Sequence, residues 1–434
     1  MLLRIAVALV LLCSCAPKPL PPVVVESPED LTVEVLQRWM REILPLIEQA
    51  AGREFVNEPF VRVSTPAEMD RVVREEVLMI MSLQYPDVSK NEISGRLPAN
   101  LSGGIAGKYG IFTEVMYVDL PSIFAMGRRG GSSIEVASKL LLAHELTHAL
   151  QGQVAGVGEA FANVSSVDEM EALRALTEGH AEFVTRAVGE AMGAADAARA
   201  MDEAQGWTDE SGPSMEAVFP IWFAYGQGRV YMDGLYERGG TEAQWAALEE
   251  PILQTAPIFG QAPREALDDA DLVPLKAIVE GLERRLGDGK WFALGSPVGE
   301  LTLRQGFYVA NRDPLAAFSA VRGGWTRSAE LRDREVGLSV LLFDDAAAAR
   351  QFVEWVPQAS NVVSSRALEL GDSGMHVVRQ PTFNGATMTG VDTETSIYAV
   401  ARGSRVALLH CSRFRPGLRA QEVLTAMLER MESP

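Results

Sequence analysis

The stretch Leu140-Leu141-Leu142-Ala143-His144-Glu145-Leu146-Thr147-His148-Ala149-Leu150-Gln151 carries the residue types and spacing best suited to chemistry. On an α-helix, residues i and i+4 share a face. His144 and His148 can therefore close on one metal ion from adjacent turns. Zn²⁺ suits two imidazoles and a carboxylate, with a fourth position open for water. Glu145 lies about 100° around the helix from His144, so it flanks such a metal rather than binding it. There it is placed to act as general base, activating a zinc-bound water. The chain has only five histidines, and three of them fall between residues 144 and 180.

The third ligand must come from elsewhere. A metzincin pattern would need a histidine six residues after His148, and that position is Val154. The next acidic cluster is Thr177-Glu178-Gly179-His180-Ala181-Glu182. Glu178 and Glu182 share a helix face, whereas His180 lies about 200° around from Glu178. Glu178 is the expected third ligand. Glu182 is expected to accept a ligand histidine's N–H and fix its tautomer. His180 is expected to be a packing or surface residue. A hydrolase of this kind also needs a donor for its tetrahedral oxyanion. Tyr225, in Ala224-Tyr225-Gly226-Gln227-Gly228, is the candidate, with Tyr231 and Tyr236 as rivals; each can equally pack in a helical core. The strand at 114–120, just before the metal helix, is expected to run along the cleft edge and pair with an extended peptide.

At these residues the chain resembles the gluzincin branch of zinc metallopeptidases. HELTH, followed thirty residues after its second histidine by Glu-Gly-x-Ala, is similar to the HExxH…E pattern of that branch, and Glu178-x-x-x-Glu182 resembles its pair of ligand and orienting residue. A closer likeness is to a little-characterised group of bacterial and archaeal proteins regarded as metallopeptidases. It rests on 144–153, 175–181 and 223–228, and extends over roughly 60–260. The chain departs from that group at His180, where other members carry a small or acidic residue. The resemblance implies an α+β, zincin-like, largely helical metallopeptidase domain with a small sheet. It also implies zinc as cofactor and a peptide or protein as substrate. The alternative is a catalytically inactive scaffold or binding lipoprotein on the same fold, because a fold does not establish an activity.

Several elements must position these residues. Helical periodicity runs through Leu36, Met40, Ile43, Leu44 and Ile47, with Pro45 a possible kink. Phe60–Val63 reads as a strand, and Ser64 or Thr65 caps a helix over 66–83. Residues 105–120 read as two strands about a turn, and 127–131 as a Gly-rich loop. Helices follow from Ser132 and Ser133 to Gln151, over 169–192, and over 216–238 with glycine breaks. Gly287-Asp288-Gly289 marks a boundary, giving a metallopeptidase domain over 31–287 and a smaller α+β domain over 293–434. In the latter, strands are expected at 337–343, 375–379, 385–391, 395–402 and 405–411, with helices at 344–356 and 420–431. His376 and His410 fall in strand-like runs and are expected to be buried or superficial. The acidic runs at 202–210 and 265–271 lack the spaced oxygens of an EF-hand loop.

Composition agrees with a folded chain. Of 434 residues, 47% are apolar and 22% charged, which excludes a disordered, collagenous or coiled-coil protein. The formal charge of −19 lacks the basic balance that nucleic acid requires. Residues 1–15, MLLRIAVALVLLCSC, are too short to span a bilayer, which takes about 20 apolar residues. They have the layout of a secretory signal. Leu12-Cys13-Ser14-Cys15 resembles a bacterial lipobox, which implies removal of 1–14 and lipidation of Cys15. The Pro-rich stretch 15–30 then serves as a tether. Ala16 after the cysteine resembles the outer-membrane pattern. The expected location is therefore the cell envelope, with membrane contact through the lipid. Of the three cysteines only Cys411 is left inside the body, so no internal disulfide is expected. A buried thiol is its expected state.

Overall fold

The computed structural model describes residues 25–84, 89–97, 101–102, 105–129, 133–204, 222–265, 267–280, 290–292, 298–307, 320–330, 335–358, 362–379, 395–412 and 418–431. The signal segment, Cys15, Gly287-Asp288-Gly289 and the strand expected at 385–391 lie outside these residues.

Helix α1 (Val33–Ala51) starts where the Thr32 hydroxyl accepts the Val35 N–H, and ends at Gly52 in a left-handed conformation. It runs through Pro45 without a break, burying Leu36, Trp39, Ile43 and Ile47. Strand β1 (Val61–Val63), helices α2 (Pro66–Gln84) and α3 (Lys90–Arg96), and strands β2 (Gly107–Gly110) and β3 (Val115–Val118) follow. The three strands form a small sheet in the order β1-β3-β2, with β1 parallel and β2 antiparallel to β3.

Next come α4 (Leu120–Arg129), α5 (Ile134–Ala155), α6 (Val157–Asn163), α7 (Val167–Ala191) and α8 (Ala195–Ala204). Ser133 caps α5 and Ser166 caps α7, each accepting the N–H three residues on. These two helices are buried around most of their circumference, as helices at the centre of a bundle must be. A single π-helical turn at Phe223–Gln227 leads into α9 (Gly228–Glu249), and the Gly228 N–H reaches back to the Phe223 carbonyl. Helix α9 lies along α7 and is tied to α1 by the Trp245 indole N–H, which donates to the Ala51 carbonyl at 2.6 Å.

The remaining elements are α10 (Thr255–Ile258), α11 (Asp269–Glu280), β4 (Lys290–Phe292), α12 (Glu300–Phe307), β5 (Val321–Glu330), β6 (Glu335–Phe343), α13 (Ala346–Trp355), β7 (Val362–Ala367), β8 (Ser373–Arg379), β9 (Thr395–Arg402), β10 (Arg405–Ser412) and α14 (Leu418–Met431). The strands make a second, antiparallel sheet in the order β4-β5-β6-β10-β9-β8-β7. Side chains alternate across it with period two. Leu338, Val340 and Leu342 face α11 and α14, while Leu341 and Phe343 face α13.

The whole is α+β, with a largely helical first part, a small sheet, and a second sheet covered by helices on both faces. Two elements cross the expected division at 287–289. Helix α11 gives Leu275, Ile278 and Val279 to the face of the second sheet, because an apolar helix stripe settles on whichever apolar face lies open to it. Helix α12 returns to the first part, where Leu301 joins its core and the Leu301 N–H donates to Thr255 Oγ1 at 3.0 Å. Thr255 in turn donates its hydroxyl to Asp168 at the start of α7.

Candidate metal centre and cleft

Helix α5 brings His144, Glu145 and His148 to the centre of the first part, and α7 lies across it with Glu178. His144 Nε2 is 3.1 Å from Glu178 Oε2, and His148 Nε2 is 3.2 Å from the same oxygen. The two Nε2 atoms are 3.3 Å apart. This is the one group of such residues, among those described, whose ligand atoms converge closely enough to hold a metal ion. With bonds of about 2.0–2.1 Å, a tetrahedral site places its ligand atoms about 3.3 Å apart. The observed triangle has those edges.

The outer nitrogens decide what the inner ones can do. His144 Nδ1 lies 3.1 Å from Glu182 Oε1, and His148 Nδ1 lies 2.9 Å from Gln151 Oε1. A carboxylate or amide oxygen accepts, so each Nδ1 carries a hydrogen and each neutral ring turns a bare Nε2 inward. Two nitrogen lone pairs and a carboxylate oxygen then meet at one point with no hydrogen among them, an arrangement that requires a cation. Without a metal a proton takes that place. Burial pulls the His144 pKa down, but the Glu178 and Glu182 carboxylates override it and hold it well above the ordinary histidine value. Burial likewise pushes the Glu178 pKa up, and His148 and His144 hold it well below the usual carboxylate range.

Glu145 donates no atom to this cluster. Its Oε2 accepts the backbone N–H of Tyr109 at 2.6 Å. Strand β2 is one of the two edge strands of the small sheet and lines the cleft with Gly107, Lys108 and Tyr109. β3 is the middle strand, paired on both sides. The expectation that 114–120 forms the cleft edge is therefore corrected: β1 takes one side of β3 and β2 the other, so β2 is the edge strand that lines the cleft.

The cleft has a volume of about 660 Å³ and contains the whole triad. One wall is apolar, from Val73, Val77, Ile80, Val157 and Phe161. Two cations line it, each with its own carboxylate. Lys108 meets Glu76 at 3.0 Å and Arg174 meets Glu171 at 3.0 Å. Burial lowers the Lys108 pKa, but Glu76, Glu145 and Glu178 outweigh it, so the amine stays protonated. Tyr225 also lines the cleft, its ring stacked on His144 with centroids 5.9 Å apart and planes 14° apart. Burial, and then the nearby Glu178 charge, raise its phenol pKa well above 10, which keeps the hydroxyl protonated. Tyr225 reaches this position because α7 and the π turn touch backbone to backbone. A Cβ on Gly179 would lie 2.2 Å from the Gly228 carbonyl carbon, and one on Gly228 would lie 2.1 Å from the Ala175 carbonyl oxygen.

The structure thus brings His144, Glu145, His148, Glu178, Glu182 and Tyr225 together. Tyr231 packs at the helical core and Tyr236 lies against Phe183; neither lines the cleft. His180 is wholly buried beside Gln151 and Trp245, and burial, with His148 adding to it, pushes its pKa down to about 3. His376 and His410 lie in β8 and β10 of the second sheet. Cys411 also lies in β10. Sequence reasoning missed Gln151, Tyr109, Lys108 and Arg174. A signal existed for two of them. Gln151 stands one turn beyond His148 on α5, and Arg174 one turn before Glu178 on α7.

No family model matches the chain, and no curated protein matches it. Among solved structures, it is similar to "a putative hydrolase with a novel fold" from Chloroflexus aurantiacus at a TM-score of 0.36 and 17% identity, over 53% of this chain and 90% of that one. It is also similar to the extracellular domain of PknH from Mycobacterium tuberculosis at a TM-score of 0.25 and 13% identity, over 38% of this chain and 97% of that one.

Proposed function

We propose that the chain is a zinc-dependent peptidase of the gluzincin type, built on a zincin-like arrangement and anchored to the bacterial cell envelope by a lipid on Cys15. The observation that carries the enzymatic reading is the convergence of His144 Nε2, His148 Nε2 and Glu178 Oε2 at 3.1–3.3 Å, with both Nδ1–H groups committed outward. Zinc held there supplies a Lewis acid that polarises a carbonyl and lowers the pKa of water.

The other roles belong to side chains. Glu145 sits beside the ligand atoms without contributing one, aimed by the Tyr109 amide. It takes a proton from the attacking water and returns it to the leaving amine nitrogen. The neutral Tyr225 hydroxyl donates to the oxygen that gains charge as the carbonyl becomes tetrahedral. The apolar wall and the part of the β2 edge beside the Tyr109 amide that Glu145 holds receive the chain of a peptide substrate. The anchoring half of the reading rests on MLLRIAVALVLLCSC and the Pro-rich stretch after it. No described helix is long and apolar enough to cross a membrane.

Metal analysis of purified residues 16–434, with Glu178→Ala in parallel and a fluorogenic peptide library as substrate, tests the enzymatic half. One tightly held zinc in the parent, weakened in the variant, together with metal-dependent cleavage, is expected. A parent that takes up no zinc after reconstitution would move the chain to the scaffold reading.

A further inference from the structure

His180 is wholly buried, does not line the cleft, and carries a ring nitrogen, Nε2, with no hydrogen-bond partner among the described residues. A buried donor left unpaired calls for a reason. The reason follows from tracing hydrogens through Gln151, which is itself buried.

The Thr177 backbone carbonyl lies 2.8 Å from one end of the Gln151 amide. A carbonyl only accepts, so that end is the NH₂ group. The other end is the oxygen, and it faces His148 Nδ1 at 2.9 Å. His148 Nδ1 therefore carries the hydrogen, and its Nε2 is bare and turned toward His144 and Glu178. The second hydrogen of the Gln151 NH₂ points at His180 Nδ1, 3.2 Å away. That nitrogen must be the lone pair, and the His180 hydrogen sits on Nε2. The unpaired Nε2–H is thus the consequence of presenting Nδ1 to Gln151. The ring is held edge-to-face with Trp245, centroids 5.0 Å apart.

We infer that His180 is a positioning residue for the metal site: acting through Gln151, its Nδ1 lone pair sets the tautomer in which His148 offers Nε2 to the metal. The inference rests on the metal-site reading above. The two ends of a glutamine amide have almost the same shape, so packing alone does not choose between them. Turned over, the amide would set its oxygen against the Thr177 carbonyl and the His180 lone pair, and its NH₂ against His148. His148 would then have to accept at Nδ1 and hold its hydrogen on Nε2, where a ligand's lone pair is needed. Thr177 and His180 supply two acceptors for the two N–H bonds of Gln151, and together they exclude that state. Helix α7 so grips the site from both faces: Glu178 acts on the metal directly, and His180 acts on the residue that orients His148.

Two substitutions separate this role from simple packing. His180→Phe keeps a ring against Trp245 and removes the acceptor. His180→Asn loses the ring and sets a carbonyl oxygen near the place of Nδ1. The measurement is zinc affinity of the chelator-stripped full chain, by competition with a chromophoric chelator, with melting curves as the check on folding. The Phe variant is expected to bind zinc about 10–100-fold more weakly, and the Asn variant close to the parent. The reverse order would assign His180 to packing and overturn the inference. So would equal affinity of both variants and the parent, while leaving the metal site standing. A parent that binds no zinc overturns the metal-site reading and this inference with it. Long-range ¹H–¹⁵N spectra of the metal-free parent at mildly alkaline pH need no variant. His148 is expected to carry a hydrogen on Nδ1 whether or not the proton that replaces the metal sits on its Nε2, and a bare Nδ1 would overturn the relay directly.

Discussion

The backbone N–H of Tyr109 donates to the Glu145 carboxylate at 2.6 Å, joining the cleft-lining edge of the small sheet to the residue between His144 and His148. Tyr109 pairs with Met116, and the Met116 N–H turns away to the Phe60 carbonyl at 3.0 Å. The Tyr109 amide is consequently the one that faces out of the sheet, and Glu145 takes it. Glu145→Gln retains an oxygen for this amide and changes no ligand atom, but it cannot accept a proton from water. Zinc content is expected to match the parent while kcat falls by about 10²–10⁴. Cleavage at the parental rate would remove Glu145 from the mechanism.

The two carboxylates of α7 should separate cleanly in a metal titration. Glu178 contributes a converging oxygen, so Glu178→Ala leaves only two imidazoles. Glu182 meets the outer nitrogen of His144, so Glu182→Gln keeps an acceptor there and loses the charge behind the ring. Zinc affinity is expected to fall by about 10-fold or more in Glu182→Gln, and further in Glu178→Ala. Chelator competition on the two variants side by side reads the order, and equal affinities would show that Glu178 is not a ligand.

How far this site is legible in the sequence depends on whether each relationship is local. The pairs His144/His148 and Glu178/Glu182 are set by helical repeat alone, and both fall on their expected faces. The three strands of the small sheet are also visible as short apolar runs, but which of them is the central strand depends on β1 pairing in parallel with β3, a contact far apart along the chain. The same holds for α11, whose apolar stripe is plain while the sheet it covers is not. Gln151 and His180 act on each other between helices, and no periodicity reports that.

Gly179 and Gly228 form the contact that sets Tyr225 over His144. In an open helix, alanine at Gly179 would be favoured over glycine by about 1 kcal/mol. Here its Cβ would meet backbone carbon and oxygen of Gly228 at 2.2 and 2.3 Å, atoms that cannot rotate away. The clash wins. Gly179→Ala is expected to destabilise the fold by about 1–3 kcal/mol or more, seen as a lower melting temperature. Gly226→Ala is the matched control, because the nearest atoms to its Cβ, on the Trp222 side chain, lie at an ordinary 3.4 Å.

Tyr225→Phe keeps the ring stacked on His144 and removes only the hydroxyl. With the phenol pKa raised well above 10, the parent holds that hydrogen throughout the neutral range. The substitution is expected to lower kcat by about 10²–10³, leaving zinc affinity and melting temperature unchanged. Tyr231→Phe, away from the cleft, is expected to leave kcat unaltered. Comparable losses in both variants would count against an oxyanion role for Tyr225.

The second sheet carries its own pH dependence. His376 lies flat on Tyr398, centroids 4.2 Å apart, and its Nδ1 accepts the Arg366 Nε–H at 3.1 Å. Burial first, and the Arg366 charge second, lower its pKa below the ordinary 6.5. As pH falls, the unfolded chain therefore takes up this proton before the folded one does. The histidine's contribution to stability is full above about 6.5 and is lost as pH drops toward the lowered folded value, by at most about 1.4 kcal/mol per pH unit. Protonation of the folded ring would also displace the Arg366 N–H from Nδ1 and set two cations together. His376→Phe preserves the stack on Tyr398 and has nothing to titrate. Urea melts at about pH 7.5 and about pH 5.5, either side of the ordinary histidine pKa, are expected to show a smaller loss of stability in the variant than in the parent. Equal losses would place the acid sensitivity elsewhere, because the carboxylates shared by both proteins cancel in the comparison.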